Sequence, residues 1–342
     1  MNEQVLRRRL ERLRSMISRK LAALIRQDQP EELREACRYV LSGGGKHIRG
    51  VIVLLSCEAV GKRAAEALHA AAAMEVLHNF TLVHDDVMDN SPLRRGRPTV
   101  HVRWNVNTAL LAGDTLIGLG YRTLLQGDPR HHDALARTFT SCLLDVCEGQ
   151  ALDMAFGRRD DVQLSEYFTM IGKKTASLLA GAAEIGAIVG GASPKQRSAL
   201  RRYGVHLGHA FQLQDDLLDV VADPGDLGKP IGGDIVEGKR TFLLLRAAEK
   251  ATGTDRQFLR SLLRSDGRAP QSAQTGGTAR TREQQLVSRV TGLFAQVGVL
   301  EEARGEIRRS TSRAVRSLNP LAATRARDML ASLAEYLALR RS

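Results

Sequence analysis

The sequence lacks several features of membrane and secreted proteins. No stretch approaches the roughly 18–20 uninterrupted apolar residues that a membrane span needs. The first residues, MNEQVLR, contain no apolar signal core. Four cysteines in 342 residues are too few for a disulfide scaffold. We therefore predict no stable membrane insertion and expect a cytoplasmic protein with reduced thiols.

Aromatic residues are also scarce, at 4% of the chain. Stacking platforms for single-stranded nucleic acid are therefore not expected, although the net charge is +12. The basic residues concentrate in two segments, 7–20 and 308–316, which we interpret as solvated helix faces. The sequence predicts no nucleic-acid partner.

Helical periodicity dominates the chain. Leu6, Leu10, Leu13 and Ile17 recur at steps of three and four residues, as in an amphipathic helix. No hairpin dipeptide lies between alternating apolar runs, so β structure has little support. We predict an all-α fold, a helix bundle that forms a single domain over residues 1–342. Residues 265–285 are rich in Gly, Ser, Thr, Gln and Arg and are predicted to be a flexible loop.

The most informative feature is a repeated D-D-x-x-D motif, DDVMD at 85–89 and DDLLD at 215–219. Residues i and i+4 share a helix face, so the carboxylates of each motif project together. Such a group on an apolar helix is costly without a cation, and an all-oxygen ligand set favours Mg²⁺. A single motif is more often a solvated helix end, but two copies favour a metal site. The candidate ligands are Asp85, Asp86, Asp89, Asp215, Asp216 and Asp219.

A carboxylate-bridged di-iron site is the alternative for an acidic helical bundle. It requires two Glu-x-x-His pairs, and only Glu75 with His78 matches that spacing. Iron is therefore disfavoured.

Basic and glycine-rich segments accompany the acidic motifs. They are GGGKHIR (43–49), PLRRGRPT (92–99), KKT (173–175), DLGKP (226–230) and GKRT (238–241). Metal ligands together with many cations are what a diphosphate requires. The sequence has no nucleophile elbow, Cys–His pair or dinucleotide fingerprint. We therefore predict chemistry by metal and diphosphate, without a covalent enzyme intermediate.

These residues resemble the trans-isoprenyl diphosphate synthases, or polyprenyl synthetases, over roughly the whole chain. The resemblance rests on LVHDDVMDNSPLRRGRPTVH and FQLQDDLLDVVADPGDLGKPIGGDIVEGKRT, which look like the two aspartate-rich motifs of that family. It implies an isoprenoid synthase fold, an all-α bundle around a deep central cavity, and usually a homodimer. It also implies condensation of isopentenyl diphosphate with an allylic diphosphate.

The resemblance implies residue roles. Asp85, Asp89 and Asp215 would bind about three Mg²⁺ ions shared with the substrate diphosphate, and the other three aspartates would support them. The residues matching the allylic diphosphate site are Arg94, Lys174, Gln212, Lys229 and Lys239, with Thr175 and Phe211 beside them on the cavity wall. The residues matching the isopentenyl diphosphate site are Lys46, Arg49, His78 and Arg95.

The implied mechanism is ionisation of the allylic C–O bond in a dry pocket, attack by the double bond of isopentenyl diphosphate, and proton removal by the released diphosphate. The sequence departs from the family in the length of the 265–285 loop, which is longer than is typical, and at two positions of one motif. The common pattern G-K-R-x-R-P reads GKHIRG at 45–50, so His47 replaces Arg and Gly50 replaces Pro. The two key cations remain, and the rigidity of this loop is what the departure puts in question.

Product length is expected to follow from pocket depth. Phe80 lies five residues before Asp85, about one helical turn deeper, and Leu77 lies beyond it. In the family this arrangement resembles short-chain synthases, and we predict geranylgeranyl diphosphate (C20) as the product. The near alternative is farnesyl diphosphate (C15). A terpene cyclase is disfavoured by the second all-aspartate motif, and a non-catalytic subunit by the retained aspartates and cations.

Overall fold

The structure is a computed structural model that describes residues 3–25, 30–222, 232–264 and 279–340. Helices account for most of these residues. The first ten are α1 (Glu3–Ala22), α2 (Glu31–Leu41), α3 (Ile48–Ala59), α4 (Leu68–Met88), α5 (Val100–Arg103), α6 (Val106–Leu124), α7 (His132–Phe156), α8 (Leu164–Ile171), α9 (Ser177–Val189) and α10 (Pro194–Val221). They are followed by α11 (Gly233–Val236), α12 (Phe242–Lys250), α13 (Gly253–Arg264), α14 (Ala279–Gln296), α15 (Val299–Ser317) and α16 (Arg325–Ala338).

Short irregular helices join several of these elements. Ala64–Ala67 and Pro129–His131 are 3₁₀ turns, and Gly172–Ala176 is a π-helical segment between α8 and α9. The predicted all-α fold is confirmed. No helix in the described ranges is both long and apolar enough to cross a membrane.

The predicted periodicity decides which faces are buried. On α1, the residues Leu6, Leu10, Leu13 and Ile17 are at most 4% exposed, while the arginines between them face solvent or its boundary. Helix α3 contains the continuous apolar run 51–55, and this run is buried on all sides. Burial of such stripes, more than intrinsic helix propensity, stabilises helices of this length.

The chain divides into two compact units, each built from segments distant in sequence. Unit 1 contains Met1–Val146, Ser177–Val205 and Ala314–Ala334, and unit 2 contains Cys147–Ala176, His206–Arg313 and Glu335–Ser342. In unit 1, α4 packs mainly against α6, and α3 packs against α9. In unit 2, a core that includes Tyr167, Phe242 and Phe294 is surrounded by α8, α12, α13 and α14. A single domain over 1–342 stays a prediction.

A small β-hairpin departs from the expectation of no β structure. Strands β1 (Leu93–Arg94) and β2 (Arg97–Pro98) are antiparallel, with Leu93 opposite Pro98 and Arg94 opposite Arg97. The connecting residues 95 and 96 have φ values of 53° and 72°, which suits a tight hairpin turn. The hairpin was missed because its strands are too short to show alternation.

The predicted loop at 265–285 is corrected in its second part. Helix α14 begins at Ala279, so the prediction was wrong for residues 279–285. Arg, Glu and Gln in this stretch are good helix formers, and composition alone placed the boundary too late. Residues 265–278 lie outside the described part of the chain.

Candidate functional site

The first aspartate-rich motif lies at the end of α4, in unit 1. Asp85 and Asp86 belong to the last turn, and Asp89 follows the helix directly. The N–H of Asp89 donates to the carbonyl of Asp85 at 2.8 Å, so the turn continues and keeps both residues on one side. Asp89 is exposed, Asp85 is half-buried and Asp86 is 5% exposed. The motif therefore offers two accessible carboxylates and one buried carboxylate.

The buried carboxylate of Asp86 is paired with Arg94. The Nε and Nη2 atoms of Arg94 donate to Oδ1 of Asp86 at 2.8 and 2.5 Å. Arg94 belongs to β1, so the hairpin fixes its backbone next to the motif. Tyr39 anchors the second strand, because its hydroxyl donates to the carbonyl of Pro98 at 2.7 Å. A charge-assisted bond of this kind orders both the arginine and the aspartate.

A glycine-rich loop brings the next cations to the same unit. Arg95 donates through Nη1 to the carbonyl of Gly44. At Gly45 the φ of 136° is a conformation that residues with a Cβ atom rarely adopt, and a Cβ there would lie 3.0 Å from the Arg95 guanidinium, so glycine is favoured. Lys46 precedes α3, and Arg49 lies in its first turn, where the helix dipole adds positive potential.

The pKa of His78 depends on its burial and on the positive charge of the arginines around it. Burial, followed by the positive charges of Arg49, Arg95 and Arg94, lowers the pKa of its imidazole well below the usual value. The ring is therefore neutral at pH 7. Its Nδ1 atom and the Nε of Arg49 are buried without a hydrogen-bond partner within the described ranges. Several close cations beside unpartnered donors indicate a site suited to an anion.

The predicted chain-length residues also lie on α4. Leu77 is fully buried and Phe80 is 6% exposed. The Phe80 ring packs edge-on against the imidazole of His84, with centroids 4.8 Å apart. The ring is thereby held in one orientation one turn before Asp85.

In unit 2, the second motif lies within α10, and Asp216 is the centre of a hydrogen-bond network. Its Oδ1 accepts from Nε2 of Gln212 at 2.9 Å, and its Oδ2 accepts from the hydroxyl of Tyr167 at 2.6 Å. Thr175 extends the chain, because its hydroxyl donates to Oε1 of Gln212 at 2.7 Å. The contacts of Asp216 are thus those of a supporting residue that orients Gln212 and Thr175.

Asp215 has a different environment on the same helix. Its carboxylate is 41% exposed and forms an ion pair with Arg340. The guanidinium of Arg340 also lies 4.1 Å from the centroid of the Phe211 ring, and its backbone carbonyl accepts from Gln214 at 3.0 Å. Burial lowers the pKa of Arg340 to about 10, so it remains a cation at neutral pH. A positive charge therefore already lies beside this predicted metal ligand.

Asp219 is coupled to a carboxylate that the sequence analysis missed. The backbone N–H of Asp234 donates to Oδ2 of Asp219 at 3.1 Å. Burial and then the negative charge of Asp234 raise the pKa of both Asp216 and Asp219 to about 7. Asp234 in turn lies 3.6 Å from Nζ of Lys239, which also pairs with Glu237 at 2.7 Å.

Lys174 has an acidic partner of its own. It lies in the π-helical segment Gly172–Ala176, a type of irregularity that is common at functional sites. Its Nζ donates to Oδ2 of Asp153 at 2.6 Å, and both side chains are largely buried. The pair holds the lysine at the site before any substrate binds.

Several of the predicted residues line one cavity of about 100 Å³ in unit 2. Its polar lining consists mainly of Asp153, Lys174, Gln212, Asp216, Asp234 and Lys239. In unit 1, Asp86, Arg94 and Arg95 line a second, smaller cavity with apolar residues of α4. Lys229 lies outside the described residues.

The donor chemistry fits a hard cation. Within the described part of the chain, no three acidic, histidine or cysteine side chains converge as a complete metal site. Mg²⁺ is seldom held by protein alone and takes oxygens from water and substrate phosphate. The raised carboxyl pKa values in unit 2 indicate negative charge that a cation would relieve. Carboxylates without thiolate or imidazole ligands match Mg²⁺.

The sequence analysis identified most candidate site residues but missed the residues that form hydrogen bonds or ion pairs with them. Asp153, Tyr167 and Arg340 belong to no motif, and only their contacts reveal them. Asp234 lies next to a basic segment and could have been suspected from that position. Glu75 is the one acidic residue in α4 before its aspartate-rich end, and an acid within such an apolar stretch is a signal of a buried, partnered carboxylate.

Comparisons with known proteins agree with these features. A sequence model of the family described as polyprenyl synthetase matches residues 30–275. The short chain isoprenyl diphosphate synthase of Methanothermobacter thermautotrophicus is 40% identical over 330 residues, covering 96% of this chain and 96% of that protein. The geranylgeranyl pyrophosphate synthase of Geoglobus acetivorans is 37% identical, covering 94% and 95%. The crystal structure of geranylgeranyl pyrophosphate synthetase from Pyrococcus horikoshii superposes with a TM-score of 0.89 at 33% identity, covering 98% and 99%.

The coupled carboxylates of unit 2 generate a prediction about stability. The pKa of each of these carboxyl groups is higher in the folded than in the unfolded protein. Their ionisation therefore lowers the free energy of unfolding of the protein as the pH rises between those two values, here from about 4 to about 7. Asp234→Asn removes one repelling charge. In EDTA it should raise the free energy of unfolding at pH 8 by roughly 1 kcal/mol and change it little at pH 4. Urea unfolding at both pH values, with Asp255→Asn as the control, tests this, and a loss of stability at pH 8 contradicts it.

Proposed function

This chain belongs to the polyprenyl synthetase family, and we propose that it is a short-chain trans-prenyltransferase that condenses isopentenyl diphosphate with an allylic diphosphate of C5–C15. Geranylgeranyl diphosphate (C20) is the proposed main product. The observation that carries this proposal is that each aspartate-rich motif lies among cations held by acidic partners, as with Asp86 and Arg94 in unit 1. The names of the relatives, short chain isoprenyl and geranylgeranyl diphosphate synthases, support it. A cytoplasmic location and the lack of a nucleic-acid partner stay predictions.

Magnesium is the proposed cofactor, shared with the substrate diphosphate. In unit 1, Asp85 and Asp89 would supply ligands and Asp86 would support them, and in unit 2 Asp215 would supply a ligand and Asp216 and Asp219 would support it, for about three ions in all. When bound, Mg²⁺ would neutralise negative charge on the diphosphate as it leaves. Arg340 forms an ion pair with Asp215, so Mg²⁺ that binds this carboxylate would replace the Arg340 guanidinium as its cationic partner.

The cations of unit 2 are proposed to bind the allylic diphosphate. Lys174 forms an ion pair with Asp153, and Lys239 with Asp234. When the ammonium groups donate to phosphate oxygens in place of these carboxylates, each lysine still has an anionic partner. Gln212 is oriented by Thr175 and Asp216, so its amide needs little reorganisation. Donors fixed in advance stabilise charge that develops on a leaving diphosphate.

The cations of unit 1 are proposed to bind isopentenyl diphosphate. Lys46, Arg49 and Arg95 supply charged donors, and the neutral imidazole of His78 supplies a hydrogen bond without adding charge. Arg94, paired with Asp86, is assigned to the allylic diphosphate. No side chain is assigned as the general base, and the released diphosphate is proposed to accept the proton.

The activity assay is the first test. We expect incorporation of labelled isopentenyl diphosphate with C5, C10 or C15 allylic primers, and its loss in EDTA. Asp85→Asn and Asp215→Asn should each lower kcat by about 100-fold or more, because charge on the leaving group is no longer compensated. Asp255→Asn is the control, and circular dichroism confirms folding. Turnover at the wild-type rate in Asp215→Asn, or no turnover in the wild type, contradicts the proposal.

Product length provides the second test. The buried ring of Phe80, held against His84, is proposed to limit the growing chain. Phe80→Ala should shift the products beyond C20, and Phe80→Leu should shift them less. Chromatography of the dephosphorylated products measures this, with Phe258→Ala as a matched control in unit 2. An unchanged product distribution in Phe80→Ala removes this residue as the limit.

A homodimer is the proposed assembly. Val106, Leu110 and Leu111 on α6 are 48%, 40% and 58% exposed, and Leu144 on α7 is 57% exposed. Exposed apolar side chains on neighbouring helices of one unit are typical of a protein–protein interface. Leu111→Glu should convert the dimer to a monomer in light scattering at micromolar concentration, whereas Leu339→Glu should not. A wild-type protein that is monomeric at this concentration contradicts the proposal.

A further inference from the structure

We propose that Glu75 is a positioning residue for the loop that carries Lys46 and Arg49, and that His47 and Gly50 act as a matched pair of donors to its carboxylate. This inference rests on the proposed function, because it concerns the isopentenyl diphosphate side of the site. It explains the two departures from the family pattern, His47 and Gly50, as one compensated change.

The geometry of the carboxylate carries the inference. Glu75 lies on α4 and is 3% exposed. Its Oε1 accepts the backbone N–H of Gly50 at 2.7 Å, and its Oε2 lies 3.1 Å from Nδ1 of His47. The two oxygens therefore hold both ends of the turn around Arg49.

The ring of His47 is fixed on its second side as well. Its Nε2 lies 3.1 Å from the hydroxyl of Ser18 on α1. A carboxylate only accepts hydrogen bonds, so Nδ1 carries the proton that the ring donates to Glu75, and the Ser18 hydroxyl can serve Nε2 as donor or acceptor. His47 is 7% exposed, and its φ of 45° lies in the left-handed region. These contacts hold a backbone conformation that is otherwise unfavourable for a residue with a Cβ atom.

Charge adds a second role for the same carboxylate. Burial raises the pKa of Glu75, but the hydrogen bond and charge of His47, the hydrogen bond from Gly50 and the charge of Arg49 outweigh it and lower the pKa overall. Burial lowers the pKa of Arg49 to about 10, and the negative charge of Glu75 opposes that shift. Glu75 therefore favours the charged form of Arg49 while it fixes the residues on both sides of it.

The residues at positions 47 and 50 depend on each other through the number of N–H donors that they offer to the Glu75 carboxylate. An arginine at position 47 carries several N–H donors in a planar fork and can serve both oxygens of a carboxylate. A histidine offers Glu75 one donor, so the second oxygen needs another. Gly50 supplies it through its backbone N–H, which proline lacks. A Cβ at position 50 would also lie 2.8 Å from Cδ1 of Ile17 and 3.1 Å from Cγ of Glu75.

The inference is tested by a double-mutant cycle at positions 47 and 50. Gly50→Pro removes the N–H that serves one buried carboxylate oxygen and also adds a Cβ atom, so Gly50→Ala, which adds the Cβ and keeps the N–H, is its control. Relative to Gly50→Ala, Gly50→Pro should raise KM for isopentenyl diphosphate about 10-fold or more and change KM for the allylic substrate less than about twofold. The double variant His47→Arg/Gly50→Pro should recover most of this loss. A double variant as impaired as Gly50→Pro, or worse, overturns the pairing of the two residues.

A second variant separates positioning from folding. Glu75→Gln should raise KM for isopentenyl diphosphate about 10-fold with a smaller change in kcat. The matched control is Glu184→Gln, another buried carboxylate of unit 1, whose oxygens accept from Arg197 and Arg201 at 2.6 Å. Glu184→Gln should lower the melting temperature and leave both KM values unchanged. Equal effects of the two variants on KM overturn a positioning role for Glu75.

Amide hydrogen exchange distinguishes failure of this inference from failure of the proposed function. Glu75→Gln should increase the exchange rate of amides in residues 46–51, including that of Gly50, whether or not substrates bind. Unchanged exchange there overturns the inference even in an active enzyme. Absent turnover in the wild type, together with increased exchange in the variant, overturns the proposed function and retains the role of Glu75 in ordering the loop.

Discussion

Buried carboxylates that need cations are the constraint on which this site depends. A carboxylate in an apolar helix is tolerable when charged donors surround it, and the cost of losing one partner exceeds the gain from making the pair. In unit 1 this principle joins Asp86 to Arg94, and in unit 2 it joins Asp153 to Lys174. The cations proposed to bind diphosphate therefore have fixed positions in the absence of substrate. A diphosphate that replaces an acidic partner exchanges one anion for another, so its binding does not require a bare cation to be created.

Irregular backbone places these cations where straight helices could not. Arg94 is held by a two-residue turn with positive φ values, Lys174 lies in a π-helical segment, and Arg49 follows a loop that needs glycine at position 45. The aspartates, in contrast, lie on or directly after regular helices, where i, i+4 spacing is sufficient to bring them together. The proposed metal ligands thus lie at regular helices, and the proposed diphosphate ligands lie in or directly next to irregular segments, which suits the two tasks. Metal ligands require a fixed mutual spacing, whereas cations must reach an anion from several directions.

The contrast between regular helices and irregular segments also explains which parts of the fold and the candidate site could be predicted from the sequence. The buried stripe on α1 and the grouping of Asp85 with Asp89 follow from local periodicity, and both agree with the structure. The role of Tyr167 could not be predicted, because its partner Asp216 is 49 residues away and no local pattern links them. The hairpin at 93–98 and the start of α14 at Ala279 were missed because short strands carry no periodicity and composition marks helix ends poorly. Spacing reveals which residues carry chemistry, while their partners emerge only from tertiary contacts.

Glu75 shows that the residues of a motif are linked by the hydrogen bonds that they supply to a common acceptor, so they cannot be interpreted as independent positions. Read one position at a time, His47 and Gly50 are two losses from a family pattern. Seen from the carboxylate that both contact, they deliver the two donors that its two oxygens require. Because a buried charge must be fully hydrogen-bonded, substitution at one donor position restricts what the other can be. The requirement at such a site is the number and direction of donors, and several residue combinations can supply it.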